Sequence, residues 1–336
     1  MWDETEVEEE INVNGMVLAF ATPEIQRNKE IVIKAVQQNG LAIQYAEELQ
    51  DDTDVVREAV KQYGFALAYA SDRLCNSLPI VRIAVTNRGM ALQYASEALQ
   101  RNRAVVMAAI HQDAYALQFS DFQNDRGVVL EAVTRNGNAL AFAEAFQNDR
   151  EVVMAAVNSY GSSIEYASPD LQVDREVVMA AVQQDGEILE FVLMFQTDKD
   201  VVMAAVQQNG LALEFAPMFQ TDKEVVMAAV RQNGRALAYA PTLSGDPDIA
   251  CAAIQNNPTA LPFVDASLDN NEPFIECMMK YNVDPGDRAE LKSHIIDRQS
   301  LKTVAKQNLP DPFKYTVKGF LGGRTRRKHR KRTRRR

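Results

Sequence analysis

Hydrophobic and polar positions recur along this chain with a fixed period. Residues 150–167 read REVVMAAVNSYGSSIEYA, 175–192 read REVVMAAVQQDGEILEFV, 199–216 read KDVVMAAVQQNGLALEFA, and 223–240 read KEVVMAAVRQNGRALAYA. A weaker copy, PDIACAAIQNNPTALPFV, starts at Pro247, with Pro258 where the others carry glycine. Gly15, Gly40, Gly64, Gly89, Gly137, Gly161, Gly186, Gly210 and Gly234 follow one another every 24 or 25 residues, except for one gap of 48 in which Ala114 holds the missing place. Counted from Asn28, ten units fit before about Asn270, after a partial unit at VNGMVLAFATPEIQ. A period this short signals stacked supersecondary units.

Each unit predicts three pieces. An Asp or Asn (Asn28, Asp125, Asp149, Asp174, Asp198, Asp222) precedes the apolar segment, where its side chain accepts from first-turn amides. An acidic residue two positions later complements the helix dipole. The EVVMAAV segment is apolar nearly all round, so it reads as a short helix packed on both sides. The helix stops at QNG, where glycine is expected in the left-handed C′ conformation. The next six residues, LALEFA or similar, alternate as a strand would. Their alanine content and lack of β-branched residues favour a second short helix. A third piece starts at Thr22-Pro23, Ser168-Pro169, Ala216-Pro217 and Ala240-Pro241. Proline suits the first helical position there, with Thr22 or Ser168 as cap.

A unit of about 24 residues cannot bury its own apolar face, so neighbours must stack. The fold class is therefore all-α: an α-solenoid of about ten repeats with a C-terminal helical cap, its contour about 90–100 Å at the usual spacing of packed helices. The predicted organisation is an acidic disordered N-terminus at 1–10, a helical repeat solenoid at 11–270, capping helices at 271–317 and a flexible basic tail at 318–336. Ala114 and the Asn257-Pro258 step predict distorted units. After the array, NEPFIECMMKY reads as one more helix, and Asp287 with Glu290 as a capping box opening a helix whose apolar face carries Leu291, Ile295, Leu301, Val304 and Ala305.

The phrase DREVVMAAVQQNGLALEFA resembles the repeat of domain-of-unknown-function family 4116, whose unit spans about two of the repeats counted here. The resemblance covers residues 11 to 270. It implies occurrence in bacteria, protists and large DNA viruses and brings no settled activity. The tail is similar to the Lys/Arg/Thr-rich ends common on proteins of large viruses of algae and protists.

Charge changes the picture more than bulk composition does. The 336 residues are 46% hydrophobic and 24% charged, with a net charge of −10, which is globular usage. Ten of the 36 Lys and Arg lie within residues 324–336, which contain no acid, so residues 1–323 carry −20 and the last thirteen +10. The acidic start MWDETEVEEE has no basic or apolar region of a signal peptide. No apolar run reaches membrane-spanning length. Cys75, Cys251 and Cys277 are an odd number without metal or disulfide spacing, which suits a reducing compartment. An intracellular, soluble protein is expected, in the nucleus or a virion.

Candidate chemistry is sparse. His111, His294 and His329 show no ligand or catalytic spacing, and no Gly-rich phosphate loop opens a helix. Glu165, Glu190 and Glu214 form one row of equivalent carboxylates, and Asp149, Asp174, Asp198 and Asp222 another. Equal environments argue against the split pair that acid–base chemistry needs, and Arg126, Arg150, Arg175, Lys199 and Lys223 stand ready to neutralise the Asp row. The pairs Gln37-Gln38, Gln183-Gln184 and Gln207-Gln208 read as polar helix ends, and Met154, Met179, Met203 and Met227 as core filler. No catalytic residue, cofactor or metal is expected. The expected function is a non-enzymatic scaffold whose solenoid binds a protein partner. Arg324, Arg326, Arg327, Lys328, Arg330, Lys331, Arg332, Arg334, Arg335 and Arg336 would bind DNA or RNA phosphates without reading sequence. The alternative is a protein-binding regulatory factor whose tail is only a nuclear-import signal. A third arrangement docks the tail on the acidic solenoid of its own or a neighbouring chain.

Overall fold

A computed structural model describes residues 4–286 together with 288, 289, 291–293, 295, 296 and 299. Among these, eleven ten-residue α-helices run Lys29–Gln38, Thr53–Gln62, Leu78–Asn87, Arg103–Gln112, Arg126–Arg135, Arg150–Ser159, Arg175–Gln184, Lys199–Gln208, Lys223–Gln232, Pro247–Asn256 and Glu272–Tyr281. Each packs on the next, and behind every helix but the last lies the short 3-10 helix of its own unit, such as Gly210–Phe215, touching both layers. The α-solenoid is thus the observed architecture. The last helix has the length and Asn cap of a repeat helix, so stacking continues past residue 270 rather than yielding there to a different cap.

The capping Asp and Asn side chains do what their chemistry suggests. Asp149, Asp174, Asp198 and Asp222 each accept from the second and third amides of their helix, satisfying donors that the helix leaves open. A second Asn or Asp, such as Asn209 or Asn233, caps the following 3-10 helix in the same way. The third piece is a four-residue α-turn in some units (Pro169–Gln172) and a three-residue 3-10 turn in others (Pro217–Phe219). Proline opens several of these, but neither Thr22 nor Ser168 caps them with its side chain; Ser168 donates to Asn148 of the preceding unit instead.

The buried stripe of each repeat helix falls at its third, fourth, seventh and eighth residues, as in Val201, Val202, Ala205 and Val206. The Leu and Ala of each 3-10 helix close the core from behind. Met154, Met179, Met203 and Met227 are only half-buried, because they occupy the helix flank turned away from the 3-10 layer. They edge the core rather than fill it.

The glycines differ from expectation in an instructive way. None of the repeat glycines has a positive φ; among the described residues only Gly286 and Asn282 do. Each opens the 3-10 helix where the chain must approach the next unit. A Cβ on Gly210 would stand 2.3 Å from the carbonyl oxygen of Ala229, and on Gly234 2.1 Å from that of Ala253, far inside contact distance. The small residue is required by close packing of layers, not by backbone torsion.

Ala114 still opens a regular 3-10 helix, Ala114–Phe119, so the distortion lies not within its unit but at the next joint. The Arg103–Gln112 and Arg126–Arg135 helices pack less closely than any other consecutive pair of ten-residue helices described. The Cβ of Ala114 occupies the space into which a neighbouring carbonyl otherwise fits. Ser120–Asn124 also forms no third helical piece. Pro258 disturbs little, since Pro258–Phe263 keeps the 3-10 form.

Two further expectations are corrected at the ends. The acidic start, expected to be disordered, carries a helix, Glu4–Glu10, held because Val7 and Ile11 bury against the first partial unit. Cys251 and Cys277 are joined in a disulfide: their separation of 26 residues is about one repeat, which brings adjacent layers together, so the odd count did not exclude a pair. The inference of a reducing compartment loses that support. Cys75 is the free thiol among the described residues, half-buried, with burial pushing its pKa up. Arg288 bonds the carbonyls of Val264 and Asp265 and pairs with Asp269, and Leu291 and Ile295 are buried, so the chain after the last repeat helix closes on the array. Asp287, Glu290, Leu301, Val304 and Ala305, and with them the capping box, lie outside the described residues.

Candidate functional site

Two lattices hold successive layers in register, one at each end of the repeat helices. At the helix C-terminal ends, an amide side chain clamps the preceding unit. Gln208 Oε1 accepts from the Gly186 amide at 2.7 Å while its Nε2 donates to the Gln184 carbonyl at 2.9 Å. Gln232 does the same to Gly210 and Gln208, at 2.6 and 2.8 Å. Gln62, Asn87 and Asn256 repeat the arrangement. The Gln207-Gln208 pair is therefore more than a polar helix end: Gln208 satisfies a backbone donor and acceptor left open in the neighbouring layer. Sequence reasoning missed this clamp, although the recurrence of an amide two residues before most of the repeat glycines was the available signal. The amides of Gly40, Gly64, Gly89, Gly186, Gly210 and Gly234 are consumed by it.

At the helix N-terminal ends lies a ladder of charge. The first residue of one helix reaches the capping Asp and the second-position acid of the next. Arg126 meets Asp149 at 2.8 Å and Glu151 at 2.6 Å; Arg175 meets Asp198 at 2.7 Å and Asp200 at 2.8 Å; Lys199 meets Asp222 and Glu224 at 2.8 Å each. Arg150 bridges Asp174 and Glu176, and Lys223 reaches Asp246. The hydrogen bond from Arg126 holds the Asp149 carboxyl below the usual range, and Arg175 and Lys199 do so for Asp198 and Asp222. The expected neutralisation of the Asp row is observed. These pairs are exposed, so solvent screening leaves each one a weak contribution to stability. The ladder breaks where Leu78 takes the first-residue position and Ser77 the cap.

The row of Glu165, Glu190 and Glu214 stays exposed. The Tyr239 phenol donates to Glu214 of the previous layer and has its pKa raised by that bond and by burial; Glu165 and burial likewise push Tyr166 up to about 12. His111 Nε2 lies 3.1 Å from Glu131 on the surface. Among the described residues no group of His, Cys, Asp and Glu is arranged to hold a metal ion, and no helix is long and apolar enough to cross a membrane. His294, His329 and all ten tail cations from Arg324 to Arg336 lie outside the described residues.

Exposed apolar side chains gather at one groove. Val173, Phe191, Leu193 and Met194, with Ile164 and Ile188 beneath, line a cleft of about 490 Å³. It sits where the unit starting at Gly186 meets the one before it.

A family model described as "Domain of unknown function (DUF4116)" matches residues 11–50, 28–75, 52–100, 79–124, 102–147, 125–172, 149–194, 198–243 and 222–269. Each match spans about two of the structural repeats, and together they cover most of the array. No curated protein and no solved structure matches the chain.

Proposed function

For a chain that belongs to the DUF4116 family, a family whose description carries no activity, we propose a scaffold role: the solenoid binds a protein partner, and residues 324–336 tether it to nucleic acid without sequence specificity. Segregation of charge carries this reading. Along the array the helix-opening cations are consumed by carboxylates of the next layer, so these cations are not on offer to phosphates. The ten cations of residues 324–336 have no acid among them. Such a block binds phosphates by counterion release, and without aromatic residues it has nothing to stack on bases. No catalysis is proposed, because the Asp row is engaged in caps and ion pairs and the Glu row lies open to solvent.

Fluorescence anisotropy with labelled duplex DNA and RNA, comparing residues 1–336 with 1–321 across a salt series, tests the tether. Micromolar or tighter binding by the full chain, lost on truncation, is expected. If six to eight phosphates are neutralised, the log–log salt slope is about −5 to −7. Failure of both chains to bind near ~100 mM salt, where such contacts still act, removes the tether and leaves the tail as an import signal.

A further inference from the structure

The groove beside Gly186 departs from the repeat in a specific way. In neighbouring units the 3-10 helix runs six residues and ends on a half-buried aromatic, Phe215 or Tyr239. Here it runs five, Gly186–Glu190, and Phe191 follows in a helical conformation at its end. The ring turns outward and is 74% exposed. Leu193, where the next two units have proline, is 70% exposed, and Met194 63%. Val173 completes the cleft at 51%. Apolar side chains gathered this way mark a binding surface more often than chance exposure does. One carboxylate, Glu165, lines the cleft; Glu187 and Glu190 stand exposed on the short helix that supplies Ile188 and Phe191, Glu187 accepting from Asn209 of the next unit. The nearby Arg150 and Arg175 are engaged with carboxylates of the next layer.

We propose that this groove is the docking site for residues 313–321 of the chain itself. That segment, FKYTVKGFL, interleaves three aromatic and two aliphatic residues with Lys314 and Lys318 and contains no acid, so it offers apolar groups to the cleft and cations to its rim. The segment lies outside the described residues, and the chain is long enough to bring it there. From Gln299, the last described residue and still helical, to Phe313 are 14 residues, which span up to ~45–50 Å when extended. The groove is four helix layers from the last repeat helix, about 32–40 Å at ordinary helix spacing. A second copy of the groove is a poorer occupant, because it would set Glu165, Glu187 and Glu190 against their own equivalents. Docking in this way holds the start of the basic tail against the acidic array. The contact does not depend on whether the tail binds nucleic acid.

Photo-crosslinking in the full-length chain tests the contact directly. With Phe320→p-benzoylphenylalanine, irradiation followed by peptide mapping of the monomer band is expected to place adducts within the same chain, on the peptide containing Phe191, Leu193 and Met194 or on that containing Val173. The exposed double variant Phe191→Ser with Leu193→Ser is expected to cut those adducts at least fivefold while leaving the circular-dichroism melting curve unchanged. Adducts scattered along the array, no adducts, or a yield indifferent to the double variant would overturn the proposal. Because the readout contains no nucleic acid, a failed contact and a failed tether are separately visible.

Discussion

At the scale of single residues, the repeat glycines show that one residue type can be required for two unrelated reasons. Gly286 occupies left-handed backbone space, whereas Gly210 is needed because the Ala229 carbonyl of the next unit stands where a Cβ would go. Gly127 is neither: it sits inside the Arg126–Arg135 helix, and a Cβ there would meet only flexible or polar side-chain atoms, none nearer than 3.3 Å. The same substitution should therefore have opposite signs at the two places. Gly210→Ala forces the layers apart and is expected to cost about 1–3 kcal/mol, the usual penalty of overpacking. Gly127→Ala removes backbone freedom from the unfolded chain and is expected to add about 0.5–1 kcal/mol. Urea denaturation of both variants checks this, and a loss at Gly127 matching that at Gly210 would contradict the close-approach account.

At the scale of the element, a ten-residue helix such as Lys199–Gln208 is held by its cap, its buried stripe and a cation borrowed from the previous layer. The cap carboxyls of Asp149, Asp198 and Asp222 are held low first by the hydrogen bond from Arg126, Arg175 or Lys199. A carboxyl depressed in the folded state contributes stability that is present above its unfolded pKa and lost as pH falls through the folded one. The urea midpoint is thus expected to stay flat between about pH 5 and 8 and to fall below about pH 4, where unfolded Asp takes up its proton. With Arg126→Gln and Arg175→Gln the acid limb should be shallower; an unchanged limb would show that the ladder is not its source. Caps, helix ends and stacking were legible in the sequence because they depend on residues within one unit. The clamp of Gln208 on Gly186 and the Cys251–Cys277 bond were not, because each joins residues one period apart and appears only after stacking. The groove was hidden for a different reason. Phe191 occupies the same aromatic position as Tyr166 and Phe215 in the pattern, and only the early end of its 3-10 helix turns it out.

At the scale of the whole molecule, an array in which each layer touches only its neighbours unfolds according to its weakest joint. That joint can be named. Three of the devices that lock other layers fail together between the Arg103–Gln112 and Arg126–Arg135 helices: Ala114 replaces glycine, Arg135 replaces the clamping amide, and Ser120–Asn124 lacks the third helical piece. Arg135 contributes only a long 3.4 Å bond to the His111 carbonyl, and Arg103 still reaches Asp125, so the joint is weakened rather than open. At several other joints the glycine contact and the amide clamp act at the same interface, as at Gly210 with Gln232. Losing both lowers the interfacial coupling on which cooperativity depends. The chain is therefore expected to unfold in two steps, with residues 4–119 and 126–281 as separate cooperative blocks. Native-state hydrogen exchange should show a step in protection at residues 120–125, and limited proteolysis should cut there first. The paired change Ala114→Gly with Arg135→Gln rebuilds the missing glycine and clamp. It should merge the two steps into one even though the new glycine costs about 0.5–1 kcal/mol in local backbone entropy. A single cooperative transition in the unaltered chain, or two steps that persist after the rebuild, would place the weak point elsewhere.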